Sequence, residues 1–213
     1  MNIRTMTTPS LFQSLDLKPT GKNLLPRDGE LFFYPNFFKE EESDFFFGYL
    51  LQNVKWQQDK IWMFNKYVDI PRLNAWYGED NKNYSYSGIP MKPNPWLPQL
   101  VEIKDRIETI SKVKFTSALI NLYRDGKDSV DWHADDEPEL GKNPVIGSVS
   151  FGETRVFKLR HLKDKSLKTD VELTHGSFAL MRGETQHFWE HKIPKTAKQV
   201  KPRINLTFRV IHS

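Results

Sequence analysis

The sequence predicts a mainly β protein with flanking helices, of the α+β class. From Phe115 to the C-terminus, short runs rich in Val, Ile, Phe and Thr alternate with turn residues, which is typical of strands joined by hairpins. Upstream of Phe115, two segments carry apolar residues at helical spacing. Six short strands indicate a β-sandwich or barrel and argue against alternating βαβ units. The predicted strands are Ser117–Tyr123, Val145–Phe151, Thr154–Leu159, Asp170–Leu173, Ser177–Met181 and Ile204–Val210.

The N-terminal half is predicted to hold one more strand and the two helices. The apolar run Leu31–Tyr34 is typical of a buried strand, and Lys39–Leu51 opens with acidic residues as an amphipathic helix does. Gln99–Ile110 has Leu and Ile at helical spacing and predicts the second helix. Between Gly78 and Pro98, a high density of Asn, Ser, Gly and Pro predicts an extended loop.

Length and composition limit the possible organisation and chemistry. The 213 residues suffice for one domain with a short extension, and we expect residues 1–26 to form a poorly ordered arm and 27–213 the domain. The chain has no cysteine, which excludes disulfides, zinc fingers and cysteine nucleophiles, so a metal must be held by His and carboxylate. The net charge of +4 is compatible with a polyanionic partner.

No signal-peptide pattern or membrane span is evident at the sequence level. We therefore expect an intracellular protein, cytoplasmic if bacterial and nuclear if eukaryotic, with no membrane partner.

His133-Ala134-Asp135 is the first candidate for a metal site. Alternate residues of an extended chain face the same side, so the imidazole and the carboxylate can reach one ion. The best third ligand is His191, just before the final strand, with His187 as the main rival. Two His and one carboxylate form the facial triad of non-haem Fe(II) oxygenases. The remaining candidates are His161, His175 and His212.

The final strand suggests a site for a dicarboxylate. Arg203 and Arg209 are six residues apart, so both face one side of the strand, and guanidinium groups suit bidentate binding of carboxylates. This pair could hold both ends of 2-oxoglutarate, with Asn121 and Tyr123 completing the pocket. The alternative is a strand with one solvated polar face.

Five motifs follow one another in a fixed order, namely 119–126, 133–137, 144–152, 189–194 and 202–209. Together they resemble the AlkB family of Fe(II)- and 2-oxoglutarate-dependent dioxygenases, over about Leu31 to the C-terminus. The resemblance implies a double-stranded β-helix (jelly roll). It also implies that iron is bound by His133, Asp135 and His191, and 2-oxoglutarate by Asn121, Tyr123, Arg203 and Arg209.

The chain looks closest to the branch of that family that repairs alkylated DNA. This implies oxidative demethylation of 1-methyladenine and 3-methylcytosine with Fe(II), O2 and 2-oxoglutarate, releasing formaldehyde, succinate and CO2. The expected partner is alkylated DNA, or RNA, and the expected state is a monomer. The alternatives are an oxygenase of the same class acting on RNA, protein or a small molecule, a catalytically silent nucleic-acid-binding module, and a purely structural jelly roll.

The segment of about 55–98 is expected to be a nucleotide-recognition lid. Arg72 and the aromatic residues Trp76, Tyr77, Tyr84 and Tyr86 alternate with polar residues, as on a surface that stacks bases; a packed Tyr-rich loop is the alternative. The resemblance implies that Tyr86 sandwiches an extruded base against the first iron-binding histidine, with Tyr84 hydrogen-bonded nearby.

Further substrate contacts are expected around this lid. Phe64 aligns with the apolar finger of a hairpin and could fill the gap left by the flipped base, with core packing as the alternative. Asp136 should project away from the metal, and we place Asp136 and Glu137 on the substrate side. The basic stretches Lys192–Ser213 and Arg155–Lys168 could contact phosphates, or could be solvated loops.

Overall fold

A computed structural model describes residues 21–63, 65–79, 84–86, 89–91 and 93–212. The elements in chain order are β1 (Glu30–Tyr34), α1 (Glu40–Asn53), β2 (Lys60–Met63), β3 (Lys66–Asp69), β4 (Leu73–Gly78), β5 (Tyr84–Tyr86), β6 (Ile89–Met91), α2 (Pro98–Ser111), β7 (Ser117–Tyr123), β8 (Val130–His133), a 3-10 turn at Pro138–Leu140, β9 (Ile146–Gly152), β10 (Arg155–His161), β11 (Lys168–Leu173), β12 (Ser177–Arg182), α3 (Thr185–Phe188), β13 (Trp189–Ile193) and β14 (Arg203–Arg209).

Two antiparallel sheets form the body of the fold. The larger sheet has the order β1-β12-β9-β14-β7-β4 and the smaller has β11-β10-β13-β8. One apolar cluster joins the two sheets, and it includes Leu119 from β7 and Leu159 from β10. The second cluster lies between the larger sheet and helices α1 and α2, where Phe46 and Ile107 are buried. The resulting layers are helices, larger sheet and smaller sheet, which confirms the predicted mainly β jelly roll.

Strand β14 shows why the site lies between the sheets. Ile204, Leu206 and Phe208 belong to the apolar cluster under the helices. By the strand period of two, Arg203 and Arg209 face the other way, toward the smaller sheet. All seven residues of the strand are buried, so two guanidinium groups are held between the sheets.

The sequence pattern missed several strands. Of the strands after Phe115, β8 and β13 were not predicted, because their charged and polar residues hide the β pattern. The predicted loop of Gly78–Pro98 contains the short antiparallel pair β5 and β6. Trp76 and Tyr77 are core residues of β4, each only 1% exposed, so the prediction of a base-stacking surface is wrong for these two residues.

Of the predicted N-terminal arm, the structure describes only residues 21–26, because residues 1–20 lie outside the described ranges. Leu25 is buried in the core between the sheets, and Asn23 Oδ1 accepts hydrogen bonds from the backbone N–H groups of Leu25 and Leu31. The boundary at residue 26 stays a prediction. Over the described ranges, none of the helices has the length and apolar character that crossing a membrane requires.

Candidate metal centre

The pairing of two strands creates the candidate metal centre. His133 on β8 lies directly opposite His191 on β13, and their ring centroids are 4.3 Å apart. Asp135 follows two residues after His133, and one potential ligand atom from each of the three residues lies within 4.8 Å of the others. Three candidates from distant parts of the sequence therefore meet at one point.

The charge state of this cluster suits a divalent cation. Burial, reinforced by the nearby His133, lowers the pKa of His191 to about 3, so its imidazole is neutral. Burial alone would raise the pKa of Asp135, but Arg209 and the two histidines lower it, so the carboxylate is ionised. His133 Nδ1 lies 2.8 Å from the Asp131 carbonyl oxygen, which leaves Nε2 for a ligand bond. Neutral imidazole and carboxylate are the donors that Fe(II) takes in a facial triad.

The other histidines lie outside this cluster. His187 is exposed on α3. His161 is bonded to Asp28 at 3.1 Å, and His175 Nδ1 accepts a hydrogen bond from the Gly152 N–H. Over the described part of the chain, His133, Asp135 and His191 form the one group of three ligand-type residues close enough to share an ion.

Arg209 contacts the metal-site carboxylate directly. Its Nη2 donates to Asp135 Oδ1 at 2.5 Å, and both side chains are buried. The backbone N–H of Asp135 donates to Gln186 Oε1 at 2.9 Å. These contacts fix the position of the carboxylate, a role for Arg209 that its sequence position did not indicate.

A pocket for a carboxylate ligand lies beside the triad. Strand pairing sets Arg203 opposite Tyr123, and its neighbour Asn205 opposite Asn121, and all four residues line the pocket. Arg203 Nη2 donates to Ser150 Oγ at 2.8 Å, whereas Nε and Nη1 are buried with no hydrogen-bond partner among the described residues.

Those two donors fit an anionic ligand. Burial lowers the pKa of Arg203 to about 10, so the guanidinium is still charged at neutral pH. Buried donors without partners are costly, and a carboxylate satisfies two of them at once. The pocket therefore suits one end of 2-oxoglutarate.

Arg72 belongs to this pocket as well as to the lid. It is only 5% exposed, and its Nε donates to Asn121 Oδ1 at 2.8 Å, while Nη1 donates to the Ser129 carbonyl at 3.2 Å. Arg72 thus contacts a residue predicted to bind 2-oxoglutarate. No sequence signal could reveal this contact, because it joins the middle of the lid to a distant strand.

An open groove of about 590 Å³ leads to His133. Ile61 of the β2–β3 hairpin lines one part of it, and Trp132 and Lys192 line another. The turn of the hairpin has Asn65 in the left-handed region, with φ of 57°, as a tight turn requires. The groove has the volume of a small-molecule site, which is large enough for a single nucleobase.

The remaining predicted substrate residues have mixed outcomes. Phe64 lies outside the described residues, and so do the side chains of Tyr84 and Tyr86. Asp136 is exposed and Glu137 is half-buried next to the buried Asp135, as the alternation of an extended chain predicts. Phosphate contact by Arg203 and Arg209 is ruled out by their burial at 1% and 2% exposure; the lysines of the same stretch stay candidates.

Comparison with known proteins places this arrangement in a family. Residues 30–209 match the family model of the 2OG-Fe(II) oxygenase superfamily. The alpha-ketoglutarate-dependent dioxygenases alkB homolog 3 of Mus musculus and Homo sapiens are each 42% identical over 207 residues, which cover 93% of this chain and 70% of the relative. The DNA oxidative demethylase ALKBH2 of Homo sapiens is 37% identical over 180 residues, 81% of this chain and 66% of the relative.

A solved structure of OsALKBH1 shares the fold, with a TM-score of 0.60 over 86% of this chain and 97% of that chain at 17% identity. Fold, donor set and family match together define a non-haem oxygenase. The chain belongs to the 2OG-Fe(II) oxygenase superfamily and, within it, to the AlkB family. It is accordingly a dioxygenase that uses Fe(II), 2-oxoglutarate and O2, as the sequence predicted.

Proposed function

We propose that this protein repairs DNA by oxidative removal of methyl groups from 1-methyladenine and 3-methylcytosine. The observation that carries the proposal is the cluster of His133, Asp135 and His191, in which the half-buried His133 lines an open groove. A relative of the chain is named a DNA oxidative demethylase, which supports DNA as the substrate.

The triad would hold Fe(II), and the donor set fits this ion. With 2-oxoglutarate and O2, this site would supply the oxidising power for hydroxylation of the N-methyl carbon, and the hydroxymethyl base would then release formaldehyde. Arg203, with Asn121 and Tyr123 beside it, would bind 2-oxoglutarate through its two unpartnered donors. Arg209 holds the Asp135 carboxylate in its ligating position and keeps it ionised.

The groove would receive the methylated base. A base inside a duplex cannot reach the buried triad, so it must be flipped out at a cost of a few kcal/mol, which a damaged pair reduces. We assign Phe64 as the wedge in the vacated stack, and Tyr84 and Tyr86 as base contacts. Apolar residues such as Ile61 and Ile70 line the groove, so the methyl group would enter with little accompanying water.

We further propose that the protein acts on DNA as a monomer inside the cell, in the cytoplasm if it is bacterial and in the nucleus if it is eukaryotic. RNA is tested as an alternative substrate in the same assay.

The experiment uses full-length protein with Fe(II), 2-oxoglutarate and matched DNA and RNA oligonucleotides bearing 1-methyladenine or 3-methylcytosine. Demethylation is followed by mass spectrometry and by formaldehyde release. His191→Ala should abolish turnover because it removes a ligand, whereas the exposed His187→Ala should retain it. Wild-type protein that consumes 2-oxoglutarate but demethylates neither lesion would overturn the proposal, and loss of iron in His187→Ala alone would overturn the ligand assignment.

A further inference from the structure

The smaller sheet carries a cationic surface on the side away from the metal. We call Trp132, Lys158, Arg160 and Lys192 the outer face. Trp132 directly precedes one metal-site histidine and Lys192 directly follows the other, so the alternation of the strands turns both outward. The pairing of β8 with β13 brings them together, with Lys192 Nζ 4.5 Å from the Trp132 ring centroid.

Two lysines of this face lie in an unfavourable position. Lys158 on β10 is directly opposite Lys192 on β13, and like charges directly opposite each other destabilise a sheet. Lys158 Nζ forms an ion pair with Asp170 at 2.5 Å. Lys192 forms no ion pair with any residue that the structure describes. The arrangement lacks an anion at Lys192.

Arg160 is held in place by two neighbouring side chains, and part of its guanidinium group can still bind a ligand. Its Cζ lies 4.0 Å from the Trp132 ring centroid, and its Nε donates to Glu190 Oε1 at 2.6 Å. Glu190 also accepts a hydrogen bond from Lys165 at 2.9 Å. Within the described ranges, the Nη groups of Arg160 make no hydrogen bond, so their edge can bind a further acceptor.

The outer face is continuous with the substrate groove. Trp132 and Lys192 line the groove in front of His133 and also a cleft that extends along β10 and β11. The charged residues that line this cleft are Lys158, Arg160, Lys168, Lys192 and Asp170. With Glu190 beside Arg160, and with Lys165, which also pairs with Glu190, five cations stand against two anions, an excess of three positive charges that suits phosphodiester groups.

We propose that the outer face binds phosphodiester groups of the strand that carries the lesion, next to the extruded nucleotide. This inference rests on the proposed function. Trp132 acts as a positioning residue, because its ring holds both Arg160 and Lys192 by cation–π contact. The phosphates supply the anion that Lys192 lacks. Phosphates carry no sequence information, so the face would bind DNA whatever bases surround the lesion.

The test measures binding of a lesion-free single-stranded oligonucleotide to the full chain by fluorescence anisotropy over a NaCl series. For single strands, the slope of log K against log salt changes by about 0.7 for each phosphate contact. Lys158→Gln and Lys192→Gln should each reduce the slope by about that amount and weaken binding several-fold. Lys192→Arg should keep the slope. The matched control is Lys142→Gln, which removes the same charge from an exposed lysine in a separate cleft with His212.

Thermal stability and turnover separate this role from a structural one. Because Lys192→Gln removes a repulsive pair, its Tm should equal or exceed that of the wild type. Demethylation of a free methylated nucleoside, which has no phosphodiester, should be unchanged in Lys158→Gln, because Lys158 lines the cleft but not the substrate groove. An unchanged salt slope in the Lys158→Gln/Lys192→Gln double variant overturns the inference even if demethylation is observed. Absence of demethylation together with a reduced slope overturns only the proposed function.

Discussion

At the residue scale, the Asn121 amide has its orientation set by one neighbour. Because Oδ1 of Asn121 accepts from Arg72 Nε, its Nδ2 is the group left to donate to a ligand in the pocket. Arg72→Gln should therefore raise the KM for 2-oxoglutarate by roughly 10–100-fold, the range expected for a lost charged hydrogen bond of about 1.5–3 kcal/mol. Initial rates at varied cosubstrate test this.

The control for Arg72 is Arg124→Gln, because Arg124 is partly exposed and pairs with Asp128. If Arg72→Gln raised only the KM for the oligonucleotide, Arg72 would act on the base alone, as the sequence suggested.

The two arginines of β14 should separate into different roles. Arg203→Ala leaves a carboxylate of the cosubstrate without a buried partner, so 2-oxoglutarate binding should weaken by roughly 2–5 kcal/mol. Arg209→Ala should also weaken metal binding, because Asp135 loses the contact that positions it. Calorimetric titration with Mn(II), and separately with 2-oxoglutarate, measures both effects. Equal metal affinity in the two variants would contradict this division.

Asp136 offers a test of charge recognition. Its side chain is exposed beside the buried metal-site carboxylate, and 1-methyladenine and 3-methylcytosine are cationic whereas undamaged bases are neutral. At about 4 Å and an effective dielectric of about 20, the attraction is about 4 kcal/mol before desolvation is subtracted. Asp136→Asn should slow turnover of cationic lesions more than that of neutral ethenoadenine. Comparable kcat/KM losses for both would leave Asp136 only an orienting role.

At the scale of elements, helix α2 is joined to strand β7 by one buried acid. Glu108 lies near the end of α2 and is 5% exposed. Its carboxylate accepts hydrogen bonds from Lys114 Nζ at 2.6 Å and from the Phe115 N–H at 2.9 Å. Burial alone would raise the pKa of Glu108, but Lys114, the Phe115 N–H and Lys104 lower it below its ordinary value.

This depressed pKa has a stability consequence with a definite sign. Since the folded state favours the ionised form, the stabilisation is present above the unfolded pKa of about 4.3 and is lost as pH falls through the lower folded pKa. Glu108→Gln should reduce the free energy of unfolding at pH 7 by about 1–3 kcal/mol. It should also make the loss of stability between pH 7 and pH 3 less steep. Urea titrations between pH 3 and 7 measure it, with the exposed Glu172→Gln as control. An unchanged dependence of stability on pH in the acid range would contradict this role of Glu108.

Strand periodicity was a good guide wherever one face is apolar. β7 and β14 were predicted with bounds close to those observed, and the shared side of Arg203 and Arg209 followed from them. It failed at β8 and β13, because inward positions of these strands carry His133 and His191 in place of apolar residues. The triad residues were therefore proposed from the spacing of His133 and Asp135, the donor types and the motif resemblance, whereas the geometry of the triad follows only from strand pairing.

At the scale of the whole molecule, long-range contacts account for what the sequence could not predict. The lid sequence looked solvated because its aromatic residues are interleaved with polar ones, yet β4 pairs along its full length with β7 and buries Trp76 and Tyr77. Arg155 is a second case. It was counted with a basic surface, but its guanidinium donates to the backbone carbonyls of Asp128 and Pro194 and so joins two segments of the groove wall.

The arginines around the triad also couple the binding of the metal to the binding of the cosubstrate. Three guanidinium groups, those of Arg72, Arg203 and Arg209, line the inner pocket, whereas Asp135 is the one carboxylate among its described lining residues. This excess of two positive charges opposes a lone dication and is neutralised by a dianion. Electroneutrality thus makes metal and cosubstrate binding synergistic, and the coupling is reciprocal.

We expect 2-oxoglutarate to tighten Mn(II) binding by about 5–150-fold, a coupling of about 1–3 kcal/mol. Glutarate, a dianion without the chelating oxo group, should retain part of this effect, and Arg203→Ala should diminish it. Metal titrations with and without each dianion measure the coupling; identical Mn(II) affinity with and without glutarate would show that chelation alone is responsible. Because of the positive charge of this pocket, the protein needs the cosubstrate in order to hold the metal, just as it needs the metal in order to use the cosubstrate.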